Sequence, residues 1–133
     1  MLLVDTSVWI EVFRRPSRFE LESVAALDEI ITCLPVIQEV LQGFLEERAF
    51  RLAREAMLAF PIVESPLRSE VFEEAAQLYR SARRAGMTIR SGVDCLIATC
   101  AIRHGLPILH HDRDFQFLAQ VSPLKEQKIP LVP

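Results

Sequence analysis

The stretch Leu2-Leu3-Val4-Asp5-Thr6-Ser7 sets three aliphatic residues directly against a carboxylate and two hydroxyls. Aliphatics without polar alternation read as a strand buried on both faces, and helix-capping residues straight after them read as the start of a helix. Such a strand belongs to a parallel sheet covered above and below. Asp5 then stands at the carboxyl end of a central strand. Open α/β sheets bind ligands there, in the crevice where successive connections leave for opposite sides.

The rest of the chain repeats this alternation. Val8 to Phe13 predicts a short helix that ends near Arg14-Arg15-Pro16, because proline disfavours helix in the residue before it. Leu21 to Leu27 suggests a second short helix, and the β-branched run Ile30 to Leu34 a second strand. Pro35 suits a first helical turn, followed by Val36, Ile37, Val40, Leu41 and Phe44 at helical spacing, with Glu39 beside that stripe. A further helix runs from Glu46 to Ala59, with Phe50, Ala53, Met57 and Leu58 inward and Arg48, Arg51 and Arg54 outward. Phe60 to Val63 is a third strand, and Pro66 opens a long helix that Gly86 ends. Ser91 to Ile102 is apolar nearly all round and predicts a helix buried on most sides. Pro107 to Leu109 is a fourth strand, a short helix follows Asp112, and Ile129 to Val132 is a weak last strand. Strands alternating with helices of this length predict a parallel sheet between two helical layers.

With 133 residues, no linker and no repeat, the chain reads as one domain over residues 1–133. The formal net charge of −3 gives no bulk attraction for a polyanion. Carboxylates that hold a metal, however, lower that figure without repelling a phosphate once the ion is bound. Cys33, Cys95 and Cys100 are odd in number and lack CxxC spacing, so they read as buried thiols in a reducing compartment. Nothing resembles a signal peptide or a membrane span, which predicts a cytoplasmic protein.

Four acidic residues fall where a carboxylate could face one pocket: Asp5, Glu39, Asp94 at the head of the buried helix, and Asp112 after the fourth strand. Asp114 is a fifth candidate. Each has a plainer reading. Asp5 could cap its helix, although Thr6 and Ser7 already offer caps. Glu39 could be solvated, although Gly43 one turn on leaves room beside it. Ser91 to Asp94 could be a variant capping box, although a charge on so apolar a helix needs a partner. Asp112 and Asp114 could be a cap and a first-turn residue. Taken together they form an oxygen-only cluster that selects hard ions such as magnesium or manganese. One or two such ions can neutralise a phosphodiester and activate an in-line water, with no side-chain nucleophile. His110 and His111 are secondary candidates: one ends the strand, and the other is exposed or contacts substrate. Trp9, beside Phe13 on the first helix, reads as a core or dimer contact.

Asp5-Thr6-Ser7-Val8-Trp9-Ile10, Glu39-Val40-Leu41-Gln42-Gly43, Asp94-Cys95-Leu96-Ile97-Ala98 and Asp112-Arg113-Asp114-Phe115, in this order over nearly the whole chain, resemble a PIN-domain ribonuclease of the VapC toxin type. The resemblance implies a three-layer α/β/α sandwich with a central parallel sheet. It implies a magnesium- or manganese-dependent endoribonuclease that cuts a structured RNA, transfer or ribosomal. It also implies a homodimer neutralised by a VapB-like antitoxin. Asp5, Glu39, Asp94 and Asp112 match the acidic catalytic positions, with Asp5, Asp94 and Asp112 as metal ligands. Asp114 matches an acidic position that some members use, and Thr6 or Ser7 the hydroxyl supporting the first aspartate. His110-His111 replaces the threonine or single histidine of many relatives.

Arg14, Arg15 and Arg18 follow the first helix, and Arg80, Arg83, Arg84 and Arg90 precede the buried one. Arg14, Arg15, Arg90 and His111 are the candidates for RNA contact, since cations near a metal-filled pocket would meet phosphates. The alternative is a catalytically inactive PIN-like module that binds RNA or an antitoxin. A receiver-like signalling domain fits less well, because the third strand ends in Glu64-Ser65 and Lys128 is the only nearby lysine.

Overall fold

The computed structural model describes residues 1–131, and within them five parallel strands form one sheet in the order β3-β2-β1-β4-β5. The strands are β1 (Leu2–Val4), β2 (Ile30–Cys33), β3 (Ile62–Val63), β4 (Ile108–His110) and β5 (Glu126–Lys128). The helices are α1 (Thr6–Phe13), α2 (Leu34–Gln42), α3 (Glu47–Leu58), α4 (Ser69–Arg84), α5 (Gly92–Arg103) and α6 (Arg113–Gln120). From β1 the chain steps outward through β2 to β3, then returns to lay β4 on the other side of β1. Right-handed crossovers therefore send α1–α3 to one face and α4–α6 to the other, which gives three layers. The helices pack within these groups, α1 on α2 and α2 on α3, α4 on α5 and α5 on α6, and α2 also meets α5 of the other group. The reversal of direction lies between β1 and β4, so the crevice opens between the ends of those two strands.

The central strands are apolar because both faces are covered: Leu3, Val4, Ile30, Cys33, Ile108 and Leu109 are all fully buried. Helix α5 is sunk between α4 and the sheet, with Cys95, Ile97, Ala98, Cys100 and Ala101 inward. Its buried Thr99 hydroxyl donates to the Cys95 carbonyl at 2.8 Å, so the one hydroxyl on that face is satisfied within the helix. Trp9 lies in the core between Phe13 and Phe60, with centroids 5.9 and 5.4 Å away.

Three expectations are corrected. Leu21 to Leu27 is no helix but two 3-10 turns, Leu21–Ser23 and Leu27–Glu29; the Ser23 hydroxyl bonds the Glu20 carbonyl and competes with helical pairing. Leu58 is exposed, since it stands about 100° round the helix from Met57, and Phe50 is only half-buried. The room expected beside Glu39 is present: Gly43 ends α2 at φ −79° and lines a cleft together with Glu39, Val40 and Phe44. The last strand is Glu126–Lys128 rather than Ile129 to Val132, of which Val132 lies outside the described residues. It is an edge strand with charged, mostly exposed side chains, and Ile129, which follows it, is the buried residue.

Candidate metal centre

The acidic groups come from the helices and turns that follow β1, β2 and β4 and from the head of α5. Asp5 follows β1, and its N–H donates to the Leu109 carbonyl of β4 at 2.9 Å. Glu39 lies one turn into α2, Asp94 in the first turn of α5, Asp112 just after β4, and Asp114 in the first turn of α6. The capping and the clustering readings are both right for Asp5 and Asp112. Asp5 caps α1, accepting from the Ser7 N–H at 2.9 Å, and Asp112 caps α6, accepting from the Asp114 N–H at 3.0 Å. At α5 only half of the capping box forms, with the Ser91 hydroxyl accepting from the Val93 N–H at 3.3 Å. That leaves Asp94 free of cap duty.

In four of the five groups one carboxylate oxygen is tied to the protein while the other is free. Asp5 Oδ2 takes the Ser7 N–H and hydroxyl, the latter at 2.6 Å; Oδ1 is buried with no partner. Glu39 Oε1 takes the Thr6 hydroxyl at 2.8 Å. Asp112 Oδ1 takes the Asp114 N–H and the Arg90 guanidinium. Asp114 Oδ2 takes the Arg90 N–H at 2.9 Å, and its Oδ1 is buried with no partner. A buried carboxylate oxygen without a donor costs free energy unless a cation meets it. Asp94, Asp112 and Asp114 each offer an oxygen within 4.8 Å of the other two, a spacing that fits one hard cation. Asp114 joins Asp94 and Asp112 in that group, and Asp5, the ligand that the resemblance implies beside them, keeps its own unpartnered buried oxygen. The two hydroxyls also divide their work: Ser7 supports Asp5, as expected, whereas Thr6 supports Glu39.

The electrostatics point the same way. Burial, followed by the charges of Asp5, Asp112, Asp114 and Glu39, pushes the Asp94 carboxyl up to about 8 from its ordinary 3.8. All four other groups raise this one by their charge. Asp5 is also raised, by burial first and by Glu39 least, against the opposing Ser7 bonds.

The cations are arranged less openly than the sequence suggested. Arg90 donates to Asp112 at 2.8 Å and reaches Asp114 at 3.6 Å, using the oxygens already tied to backbone. Arg15 folds back on the Val12 and Arg14 carbonyls. Arg18 holds the buried Glu11 with two bonds, and Arg14 stands 3.7 Å from the same carboxylate, exposed beside a cleft lined by Ile10, Phe13, Glu39 and Phe44. The Arg18 bonds hold the Glu11 carboxyl below its ordinary value. His111 is exposed, with its N–H donating to the Ser7 hydroxyl at 2.8 Å, while His110 ends β4 fully buried.

The PIN domain family model matches residues 2–120. A VapC ribonuclease of Mycobacterium bovis and ribonuclease VapC11 of Mycobacterium tuberculosis are each 38% identical over 130 residues, covering 94% of this chain and 96% of theirs. The chain belongs to the PIN-domain family, in its VapC branch. The VapC fold also recurs in the VapBC2 complex of Rickettsia felis bound to a promoter DNA fragment, at a TM-score of 0.74 and 12% identity over 97% of this chain and 98% of that one. In this VapC chain the residue that sequence reasoning passed over is Glu126, which bonds the buried His110 ring. Glu126 was hidden because its polar strand gave no apolar signal.

Proposed function

We propose that this PIN-domain chain, acting as one unit over residues 1–133, is an endoribonuclease toxin that uses Mg2+ or Mn2+. Its substrate is a structured RNA, transfer or ribosomal, and it is held inactive by a VapB-like antitoxin and works as a homodimer in the cytoplasm. The observation that carries this reading is the set of spare oxygens on Asp5, Glu39, Asp112 and Asp114 around an Asp94 that has no bond of its own. A bound divalent ion would neutralise the phosphodiester and lower the pKa of an attacking water. Asp94, Asp112 and Asp114 would hold it, with Asp5 and Glu39 completing the acidic wall. Without an ion, Asp94 keeps a proton near neutral pH and so relieves the repulsion among the five groups. Arg14, whose one ion-pair contact is a long 3.7 Å, and the exposed His111 would meet phosphates of the RNA; Arg15 and Arg90 must first leave their present partners to do so.

Ser7 fixes Asp5 and also anchors the His111 backbone. Ser7→Ala is expected to reduce cleavage by about 10- to 100-fold, the usual cost of losing a group that orients a ligand, with the melting temperature little changed. Equal cleavage rates would remove Ser7 from the site. The toxin reading is tested in cells. Induced expression of the chain alone is expected to arrest growth, and co-expression of a VapB-like antitoxin to restore it. Unimpaired growth with folded, Mn2+-binding protein present would contradict it.

A further inference from the structure

Beyond the five acids, the end of β4 holds an arrangement with no role yet. His110 is fully buried. Its Nδ1 accepts the Asp112 N–H at 3.1 Å. A ring nitrogen that accepts from backbone carries no hydrogen, so the ring hydrogen sits on Nε2, which donates it to Glu126 on the edge strand β5. The His110 carbonyl accepts from the Ile129 N–H at 2.8 Å, and the ring lies against Phe115 with centroids 5.3 Å apart. Both ring nitrogens, the ring face and the backbone are thus engaged, which leaves the ring one tautomer and one orientation.

Asp112 depends on that orientation. Its Oδ1 is spent on capping α6 and on Arg90. Its own N–H lies in extended backbone ahead of the helix, and the partner of that N–H is His110 Nδ1. The bond fixes the backbone from which the carboxylate reaches Asp94 and Asp114. We propose that His110, oriented by Glu126, is a positioning residue for the metal centre: through the Asp112 N–H it holds the Asp112 carboxylate at the spacing from Asp94 and Asp114 that a divalent ion requires. The inference rests on the metal-dependent reading above and gives His110 no contact with ion or RNA. Groups that orient ligands in this way are worth about 10- to 100-fold in metal affinity or activity.

Two substitutions separate positioning from packing. His110→Phe fills the space and stacks on Phe115 but offers no acceptor. His110→Asn leaves a void but returns an oxygen near the place of Nδ1. Packing alone ranks the phenylalanine variant above the asparagine variant in everything. Positioning ranks it higher only in melting temperature, and lower in Mn2+ affinity measured by calorimetric titration and in kcat on RNA. The expected result is a loss of about 10- to 100-fold in Mn2+ affinity and kcat for His110→Phe, with KM for RNA unchanged and most of the loss recovered in His110→Asn. Mn2+ affinities that follow melting temperature, or that are equal in the two variants, would overturn the assignment. If neither folds, Glu126 decides. Glu126→Gln still accepts from Nε2 and is expected to bind Mn2+ as the parent does, whereas Glu126→Leu binds it more weakly; equal binding by both overturns the inference. A parent protein that binds no Mn2+ and cuts no RNA would bring down the metal-dependent reading and this inference with it. A parent that does both, with His110→Phe unimpaired, would bring down this inference alone.

Discussion

Asp94→Asn is expected to give a protein that resists unfolding better than its parent at alkaline pH and has lost RNA cleavage. The Asp94 carboxyl is raised to about 8, first by burial and then by its four acidic neighbours, against 3.8 for the ordinary group. The native state therefore keeps a proton that the unfolded chain gives up above pH 3.8. In the metal-free protein the stabilisation from this group is complete below that value and is lost as pH rises through 8. Asparagine resembles the protonated acid and has nothing to lose. Melting curves at pH 5 and pH 9 should thus converge for the variant and diverge for the parent. At pH 9 the variant should gain about 2–4 kcal/mol, roughly 5–15 °C in melting temperature. Cleavage, which needs the ionised form to hold a cation, should fall by about 100-fold or more. A variant that cuts RNA at the parent's rate would remove Asp94 from the centre.

Phe115→Ala is expected to be the most damaging single change to stability near the site. Phe115 is fully buried in the first turn of α6 and packs against the His110 ring, so truncation leaves a void under the helix that carries Asp114. The cost should be about 3–5 kcal/mol by denaturant titration, a large share of the 5–15 kcal/mol that an ordinary domain has to spare. A loss below about 1 kcal/mol would show that α6 is held in some other way.

The parts of this fold that are legible in its sequence are those whose environment is uniform. Strands β1, β2 and β4 are covered on both faces and read as mainly apolar runs, with Thr32 and His110 the buried exceptions, and α5 betrays its burial by having no polar face. The acidic positions are legible for a related reason: a carboxylate ending such a run cannot lie in the core, so it marks the crevice. What escaped depends on pairing across the sheet. Strand β5 carries Glu, Gln and Lys because it is an edge, and the value of Glu126 comes from His110 on its neighbour, 16 residues away in the chain. The partners of Arg90 escaped similarly. Its place just before the buried helix suggested a cation for RNA phosphates, but the turn before α5 lays it against Asp112 and Asp114. Asp5 shows a third case, where capping a helix and lining the site were set against each other although two oxygens allow both.

Metal-dependent cleavage of RNA by this site is tested most directly by incubating the purified protein, freed of any co-purified partner, with total cellular RNA and Mn2+ or Mg2+. Parallel reactions contain EDTA or the Asp94→Asn variant. Discrete fragments that require the ion, vanish with EDTA and are missing with the variant are the expected result. Intact RNA in every reaction, with folded protein that binds Mn2+, would contradict the nuclease and leave a PIN-like module that binds without cutting.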